Sequence, residues 1–226
     1  MNNAIAIKNL RVFLGSSEIL RSISLEVAQG ELLYILGSNG SGKTTLIKTI
    51  LGIIKPYSGS VNIFGKPNTQ EQVSRHIGYV PHYSNVTRDF PISVKEIIEL
   101  ECSTLEHCSV NAHEHLKYFN AEIFKNDRLS ELSGGEFQKV LIARAFVSNP
   151  KILILDEPFN NLDKQAQQEL LRLINKLHKQ DGMTILIITH DPNIIKASDQ
   201  AVLLEDGKLI TNKAEMLLKE YLHHES

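Results

Sequence analysis

The stretch that decides the fold is GSNGSGKT, residues 37–44, which fits the pattern G-x-x-x-x-G-K-[ST]. The apolar run LLYILG (32–37) precedes it, and TTLIKTILGII (44–54) follows with helical spacing. Glycines let the backbone curl so that successive N–H groups point at phosphate oxygens, and a following helix adds its positive N-terminal end. We therefore interpret residues 37–44 as a nucleotide phosphate loop. The alternative is a glycine-rich turn without function.

Side chains of this loop add to the backbone cradle. Lys43 can reach the β and γ phosphates as a point charge, Thr44 offers its hydroxyl to Mg2+, and Thr45 is a further phosphate contact. The candidate nucleotide-binding residues are Gly37, Ser38, Asn39, Gly40, Ser41, Gly42, Lys43, Thr44 and Thr45.

Length and composition bound the class of protein. The 226 residues suit one compact domain with a substantial core. Apolar residues make up 42%, charged residues 22%, and the net charge is -2, which argues against disorder and against a nucleic-acid surface. No segment has the roughly 20 apolar residues that a membrane span needs, and the N-terminus lacks the apolar centre of a signal peptide. We expect a cytosolic chain that reaches a membrane only through another subunit.

Strand signals lie on both sides of the phosphate loop. The alternating segments 4–14 and 19–27, joined by a short turn, predict antiparallel strands. Apolar runs at 152–156 and 183–190 are typical of buried parallel strands. Residues 201–210 predict a hairpin on an Asp-Gly turn.

A helical insert interrupts the strand pattern. From about residue 93 to 127 the strand signal is absent, and short helical segments predict a small inserted subdomain. Residues 1–92 and 128–226 then form the nucleotide-binding core. The expected fold class is α/β, a single P-loop domain (1–226) with a mostly parallel sheet, an N-terminal antiparallel β subdomain and the helical insert.

A second motif, ILILDEP, carries two carboxylates to the end of an apolar strand. Behind a phosphate loop, Asp156 can hold the water shell of Mg2+, and Glu157 can orient or deprotonate the attacking water. His190 closes the next apolar strand with a polar side chain. The alternative is an Asp-Glu loop pair without catalysis, but the order of the motifs favours a hydrolytic site.

A third motif, LSGGEFQKVLIARAF at residues 132–146, resembles the signature sequence of ATP-binding cassette (ABC) ATPases. The match continues through SNPKILILDEPFNNLD to Asp163, and ITHD is similar to the switch-histidine segment of that family. Ser133, Gly134 and Gly135 offer a hydroxyl and N–H groups ahead of a helix, which makes a second anion cradle. The resemblance implies a head-to-tail homodimer in which the signature of one subunit covers the γ-phosphate held by the other.

The same resemblance implies roles for the other motif residues. ATP and Mg2+ are the expected ligands. Asp156 supports the metal together with Thr44, Glu157 is the general base, and His190 contacts the γ-phosphate and positions the water.

Several positions depart from the family pattern. Asp163 matches a loop that crosses the dimer interface, but Asn160 and Asn161 replace the small residues that usually precede Leu162 in that loop. The family usually places an aromatic ring against adenine, where this chain has Leu14, with Phe13 one residue away. We predict that Phe13 stacks on the base, because stacking needs a π-face; the alternative is a core position for Phe13.

The loop after the IGYVP strand begins with His82, where the family usually has a glutamine that bridges the Mg2+ or attacking water to the partner-contacting region. A glutamine amide offers a donor and an acceptor at any pH, whereas protonated imidazole offers donors only. We hypothesise that His82 takes the catalytic and metal-contacting role of that glutamine and makes coupling pH-sensitive. Alternatively, His82 faces solvent and Tyr83, Ser84 or Asn85 replaces it.

Residues 86–98, VTRDFPISVKEII, resemble a segment of the ATPase subunits of zinc, manganese and iron uptake systems. Such a segment lies on the face that grips the cytoplasmic coupling helix of a permease. Phe90 would be an apolar anchor, with Arg88 and Asp89 on the rim. The implied partner is an integral membrane permease, contacted through the loop from His82 to Ser93. The complex can also include an extracytoplasmic substrate-binding protein. The alternative is an aromatic residue that any cassette ATPase can pack there.

Cysteine and histidine residues in the insert are of the types that bind Zn2+. They are Cys102, His107, Cys108, His113 and His115. Their spacing fits no compact metal pattern, so a solvated helical face is the better interpretation. Two cysteines cannot build a disulfide framework, and they favour a reducing compartment.

Together the motifs predict the ATP-hydrolysing subunit of an ABC transporter at the cytoplasmic face of a membrane, importing a divalent metal ion (Zn, Mn or Fe) through a separate permease. ATP would close the homodimer and hydrolysis would reopen it. One alternative is the same ATPase serving lipid, lipoprotein or drug export. Another is a soluble ABC ATPase acting on nucleic acid or ribosomes, but the chain has neither a basic linker nor a coiled coil, and no nucleic acid is expected.

Overall fold

Two β-sheets form the body of the chain, which a computed structural model describes over residues 3–82, 91–105, 108, 111–196 and 200–211. The strands are β1 (Asn3–Leu14), β2 (Ser17–Ala28), β3 (Leu32–Leu36), β4 (Ser58–Ile63), β5 (Lys66–Pro67), β6 (Ile77–Val80), β7 (Ile152–Asp156), β8 (Thr184–Thr189), β9 (Gln200–Glu205) and β10 (Lys208–Thr211). The helices are α1 (Lys43–Ile50), α2 (Gln70–His76), α3 (Val94–Ser103), α4 (Ala112–Tyr118), α5 (Gly134–Ala145) and α6 (Lys164–Lys179).

The first sheet is antiparallel and has the order β2-β1-β4-β5. Strands β1 and β2 pair along most of their length, with Ile5 opposite Val27 and Ile7 opposite Leu25. All four of these side chains are buried, because alternating apolar residues place one face of each strand on the core. The predicted antiparallel β subdomain is confirmed.

The second sheet has the order β10-β9-β3-β8-β7-β6 and is parallel except for the edge strand β10. Every residue of β7 and β8 is buried, as expected for strands covered on both faces. Because the strands run in the same direction, the carboxyl ends of β3, β7 and β8 meet at one edge. The predicted α/β class with a mostly parallel sheet is confirmed, as is the hairpin of β9 and β10.

Side-chain caps begin several of the helices. Ser133 precedes α5 in a capping box with Glu136, and Asp163 Oδ1 accepts a hydrogen bond of 2.8 Å from Ala166 N at the start of α6. Helix α2 was absent from the sequence-based interpretation, although its Thr69 cap, which accepts a hydrogen bond from Gln72 N, is a recognisable start signal.

The helices of the insert pack on α5. Val94, Ile97 and Ile98 of α3 are buried in the same core cluster as the apolar face of α5. Arg144 Nε of α5 donates a 2.8 Å hydrogen bond to Glu101 Oε2. Cys102 and Cys108 are joined in a disulfide. The expectation of two reduced thiols is therefore wrong for this structure, because the turn after α3 brings their Cα atoms to 5.3 Å.

Within the described residues, no helix is long and apolar enough to cross a membrane.

Candidate active site

The carboxyl ends of the parallel strands surround a cavity of about 510 Å3. Its lining combines the phosphate loop with the polar residues that follow β6, β7 and β8. The lining residues are Leu14, Ile19, Asn39, Gly40, Gly42, Lys43, Thr44, Thr45, His82, Asp156, Glu157, Asn160 and His190. Residues that are distant in sequence are thus brought together by the parallel sheet.

The phosphate loop requires glycine at two positions that the structure makes explicit. A Cβ on Gly37 would lie 2.5 Å from Leu204 O, so the backbone of β9 leaves no room for a side chain. Gly42, the residue before α1, has φ 108, and this backbone conformation strains any residue with a Cβ. The loop therefore curls around the start of α1, where backbone N–H groups are available to an anion.

Lys43 is the first residue of α1, and its side chain reaches back into the phosphate loop. Its Nζ donates hydrogen bonds to Gly37 O at 2.7 Å and to Ser38 O at 2.9 Å. Burial lowers the pKa of Lys43, against the opposing charges of Glu157 and Asp156. Nearby, Ser41 Oγ is buried and has no hydrogen-bond partner among the described residues. A buried cation beside an unpartnered hydroxyl suits a polyanionic ligand such as a triphosphate.

Asp156 ends β7 with its carboxylate almost fully buried. Burial, followed by the charge of Glu157, raises the pKa of Asp156. Tyr79 of β6 donates a hydrogen bond from its hydroxyl to Asp156 Oδ2 at 3.3 Å. Burial first, and then Asp156, raises the pKa of Tyr79, so the phenol stays a donor. The sequence analysis did not identify Tyr79 as a site residue. Its place in the strand-like segment of β6 was the one feature that could have suggested it.

Glu157 connects the two sides of the cavity. Its Oε2 lies 2.9 Å from His190 Nδ1 and accepts a 3.3 Å hydrogen bond from His190 N. Its Oε1 lies 3.7 Å from Lys43 Nζ. Glu157 has φ 52, a conformation uncommon for a residue with a side chain, and its N–H donates to Ile188 O at 2.9 Å. The backbone therefore holds this carboxylate between the phosphate-loop lysine and the histidine that follows β8.

His82 and Asn160 meet in the lining of the cavity. The distance between Asn160 Nδ2 and His82 Nε2 is 3.1 Å. Sequence reasoning identified both residues as departures from a family pattern but did not predict that they touch. The pH-sensitive role of His82 stays a prediction. Tyr83, Ser84 and Asn85 lie outside the described residues.

One wall of the cavity is aliphatic. Leu14 and Ile19 line it, whereas the ring of Phe13 packs edge-on against Tyr57 with 5.1 Å between centroids. Arg11 lies over both rings and pairs with Glu18 at 2.7 Å. Phe13 is thus placed beside the cavity instead of among its lining residues, and its contact with adenine stays a prediction.

The signature residues lie at the N-terminus of α5, outside the lining of this cavity. Ser133 is the cap of the helix, and Gly134 and Gly135 form its first turn. A Cβ on Gly135 would lie 2.8 Å from Ala166 Cβ, and one on Gly134 would lie 3.2 Å from Asn161 O. The two glycines therefore let α5 pack closely on the loop that carries Asp163 into α6.

Other sequence-based candidates fall outside the site. Arg88, Asp89, Phe90 and His107 lie outside the described residues. Among the residues that the structure does describe, no group of three or more His, Cys, Asp or Glu side chains is arranged to hold a metal ion.

Similar proteins share both the sequence and the fold. The profile of the ABC transporter family matches residues 20–160. The zinc import ATP-binding protein ZnuC of Rickettsia conorii is 37% identical over 201 residues, covering 88% of this chain and 82% of that protein. The structure of cbiO1 from Clostridium perfringens, part of the ABC transporter complex cbiONQ, has a TM-score of 0.82 at 26% identity, covering 100% of this chain and 94% of that chain.

A dimeric ATP-binding cassette in a post-hydrolysis state, bound to ADP and Pi, has a TM-score of 0.79 at 28% identity, covering 93% of this chain and 98% of that chain.

Proposed function

The chain belongs to the ABC transporter family, and we propose that it is the ATP-hydrolysing subunit of a transporter that imports a divalent metal ion through a separate membrane permease. The observation that carries the ATPase assignment is the convergence of Lys43, Asp156, Glu157 and His190 in one cavity beside the phosphate loop. Together these groups supply a cation that binds phosphate, a carboxylate that binds the metal and a general base.

The residues of the site fit ATP and Mg2+. Thr44 and Asp156 offer the hard oxygen ligands that Mg2+ prefers. When bound, Mg2+ neutralises charge on the phosphate oxygens. Lys43 and the N–H groups of the loop hold the phosphates, while His190 orients Glu157 toward a water molecule. Glu157 then accepts the proton of that water as the general base.

The position of the signature supports a working homodimer. Ser133, Gly134 and Gly135 lie outside the lining of the cavity of their own chain, so a second copy is needed to bring an α5 N-terminus to the nucleotide. Asp163 caps the start of α6, with its Oδ1 at 2.8 Å from Ala166 N. Ala166 lies against the signature residue Gly135, so Asp163 would lie at the same dimer interface. The similarity to a dimeric cassette supports this arrangement.

The proposed cargo and the proposed partner are inferred from similarity to other proteins. A protein named for zinc import shares 37% identity over most of both chains, which supports a divalent metal as the transported substrate. A separate permease subunit would form the path across the membrane, as in the metal import systems that the relatives are named for. We propose that the permease binds the loop of residues 82–93, at the cytoplasmic face of the membrane.

Metal uptake in cells tests this proposal. Cells that lack the gene are expected to take up less radioactive zinc, and wild-type protein is expected to restore uptake whereas Glu157→Gln is not. Testing manganese and iron in parallel identifies the metal. Unchanged uptake of all three metals in the deletion strain would remove the cargo assignment, while ATP hydrolysis by the purified protein would still support the ATPase assignment.

A further inference from the structure

The contact between His82 and Asn160 joins two loops that face the nucleotide cavity. His82 is the second residue after β6, and Asn160 is the third residue after Glu157. Their side chains approach to 3.1 Å, and both residues line the cavity with the phosphate loop. Two residues that differ from the family pattern at separate positions in the sequence therefore form one pair in space.

The chemistry of the pair determines which nitrogen of His82 holds its proton. The Nδ2 group of an asparagine amide donates hydrogen bonds and accepts none. His82 Nε2, at 3.1 Å from Asn160 Nδ2, must therefore be the acceptor. Neutral imidazole has one N–H and one acceptor nitrogen, so the proton of His82 lies on Nδ1.

Hydrogen-bond acceptors are available to the remaining N–H of His82. The carboxylates of Asp156 and Glu157 line the same cavity as His82. A ring whose acceptor nitrogen is already bound to an amide has no second lone pair for Mg2+, whereas its N–H can donate to a carboxylate, a phosphate oxygen or a water.

We propose that Asn160 is a positioning residue for His82, which it holds in the Nδ1-protonated form as a hydrogen-bond donor and not as a ligand of Mg2+. This inference rests on the proposed function, since it deepens the description of the hydrolytic site. It assigns Mg2+ to Thr44 and Asp156 alone. The hydrogen bond of Asn160 also connects the loop that carries Glu157 with the loop that begins at His82.

Nitrogen NMR of the full chain tests the tautomer directly. The protein is labelled with 15N-histidine and measured without nucleotide at a pH where imidazole is neutral, and the His82 signals are identified by their loss in His82→Gln. The expected spectrum shows a protonated Nδ1 and an unprotonated Nε2 for His82. Asn160→Asp, which replaces the donor by an acceptor, is expected to move the proton to Nε2. A wild-type spectrum with the proton on Nε2, or one that Asn160→Asp leaves unchanged, would overturn the proposal.

Kinetics of ATP hydrolysis test the link. Asn160→Ala is expected to lower kcat about fivefold with little change in KM, as for the loss of one hydrogen bond. In the His82→Gln background the same substitution is expected to have almost no further effect. Asn175→Ala, an equal truncation on the exposed surface of α6, is the control. Additive effects of His82→Gln and Asn160→Ala would contradict the pairing.

These outcomes are separable from failure of the proposed function. If the wild-type protein does not hydrolyse ATP, the proposed function fails, whereas the tautomer of His82 is read without nucleotide turnover.

Discussion

Glu157 Oε2 lies 2.9 Å from His190 Nδ1, while Glu157 Oε1 lies 3.7 Å from Lys43 Nζ. The carboxylate that we propose as the general base is thus held between His190, the proposed water-positioning residue, and Lys43, the proposed phosphate-binding residue. Because Lys43 also donates to the carbonyls of Gly37 and Ser38, we expect that phosphates compete with groups of the protein itself for this cation.

Glu157→Gln separates nucleotide binding from hydrolysis. An amide cannot accept the proton of water, so the rate of ATP hydrolysis should fall by roughly 100-fold or more. Binding of ATP should be retained, because Lys43 and the loop N–H groups are unchanged. The variant should therefore accumulate as an ATP-bound dimer, which light scattering after size-exclusion chromatography measures. Hydrolysis at the wild-type rate would contradict the role of Glu157.

Tyr79→Phe removes the donor to Asp156 while keeping the aromatic ring. Because the hydrogen bond from Tyr79 orients the Asp156 carboxylate that we propose as a metal ligand, we expect the affinity of the ATP-bound protein for a divalent cation to fall about tenfold. Mn2+ binding, measured by electron paramagnetic resonance, reports this without hydrolysis. Tyr57→Phe, at a ring that is 73% exposed, is the matched control. Equal Mn2+ affinity of Tyr79→Phe and wild type would argue against the positioning role of Tyr79.

Gly135→Ala tests whether the signature glycine is needed for packing within one chain. Its Cβ would lie 2.8 Å from Ala166 Cβ, so α5 must move away from α6, at a cost of about 1–3 kcal/mol in the free energy of unfolding. This exceeds the gain of about 0.5–1 kcal/mol from replacing glycine in a helix. Adding Ala166→Gly should restore most of the lost stability, as measured by urea unfolding.

If the double variant regains its stability but not its ATP hydrolysis, Gly135 also contacts the nucleotide of the partner subunit. A double variant that is as unstable as Gly135→Ala would show that the clash with Ala166 is not the cause.

His115 should make the stability of the chain pH-dependent. Its Nε2 lies 2.7 Å from Ala143 O, and burial lowers its pKa. The unfolded state therefore binds a proton first as the pH falls below about 6.5, and stability is lost as the pH falls from there toward the lower pKa of the folded state. One proton contributes at most about 1.4 kcal/mol per pH unit.

We expect the free energy of unfolding of His115→Gln to fall less between pH 7.5 and 5.5 than that of wild type. Urea unfolding at the two pH values, which lie on either side of the reference pKa of about 6.5, measures this difference. His113→Gln, on the exposed face of the same helix, should behave like wild type. An identical pH dependence for His115→Gln and wild type would mean that His115 does not titrate differently in the two states.

Much of the fold was predictable because local patterns and the sheet agree. The apolar runs that end in Asp156 and Thr189 form buried parallel strands, and the glycine loop lies between a strand and a helix, as its chemistry requires. The convergence of Lys43, Glu157 and His190 follows from strand direction alone.

Contacts that depend on tertiary approach were not predictable. Tyr79 reaches Asp156 because β6 pairs with β7, and no spacing in the sequence shows that pairing. The same holds for His82 and Asn160, and for the two cysteines, which the turn after α3 brings together. Leu14 and Ile19 line the cavity because β1 and β2 pair near their shared turn, so their role needs the sheet register and not only the residue types.

The measurement that tests the central claim most directly is purification of the protein from its native membranes in mild detergent, with identification of the proteins that accompany it and assay of ATP hydrolysis with and without zinc. The account predicts a multi-helix permease in the complex and hydrolysis that depends on Glu157 and is stimulated by the metal. Recovery with ribosomal or nucleic-acid components and without a permease would contradict it.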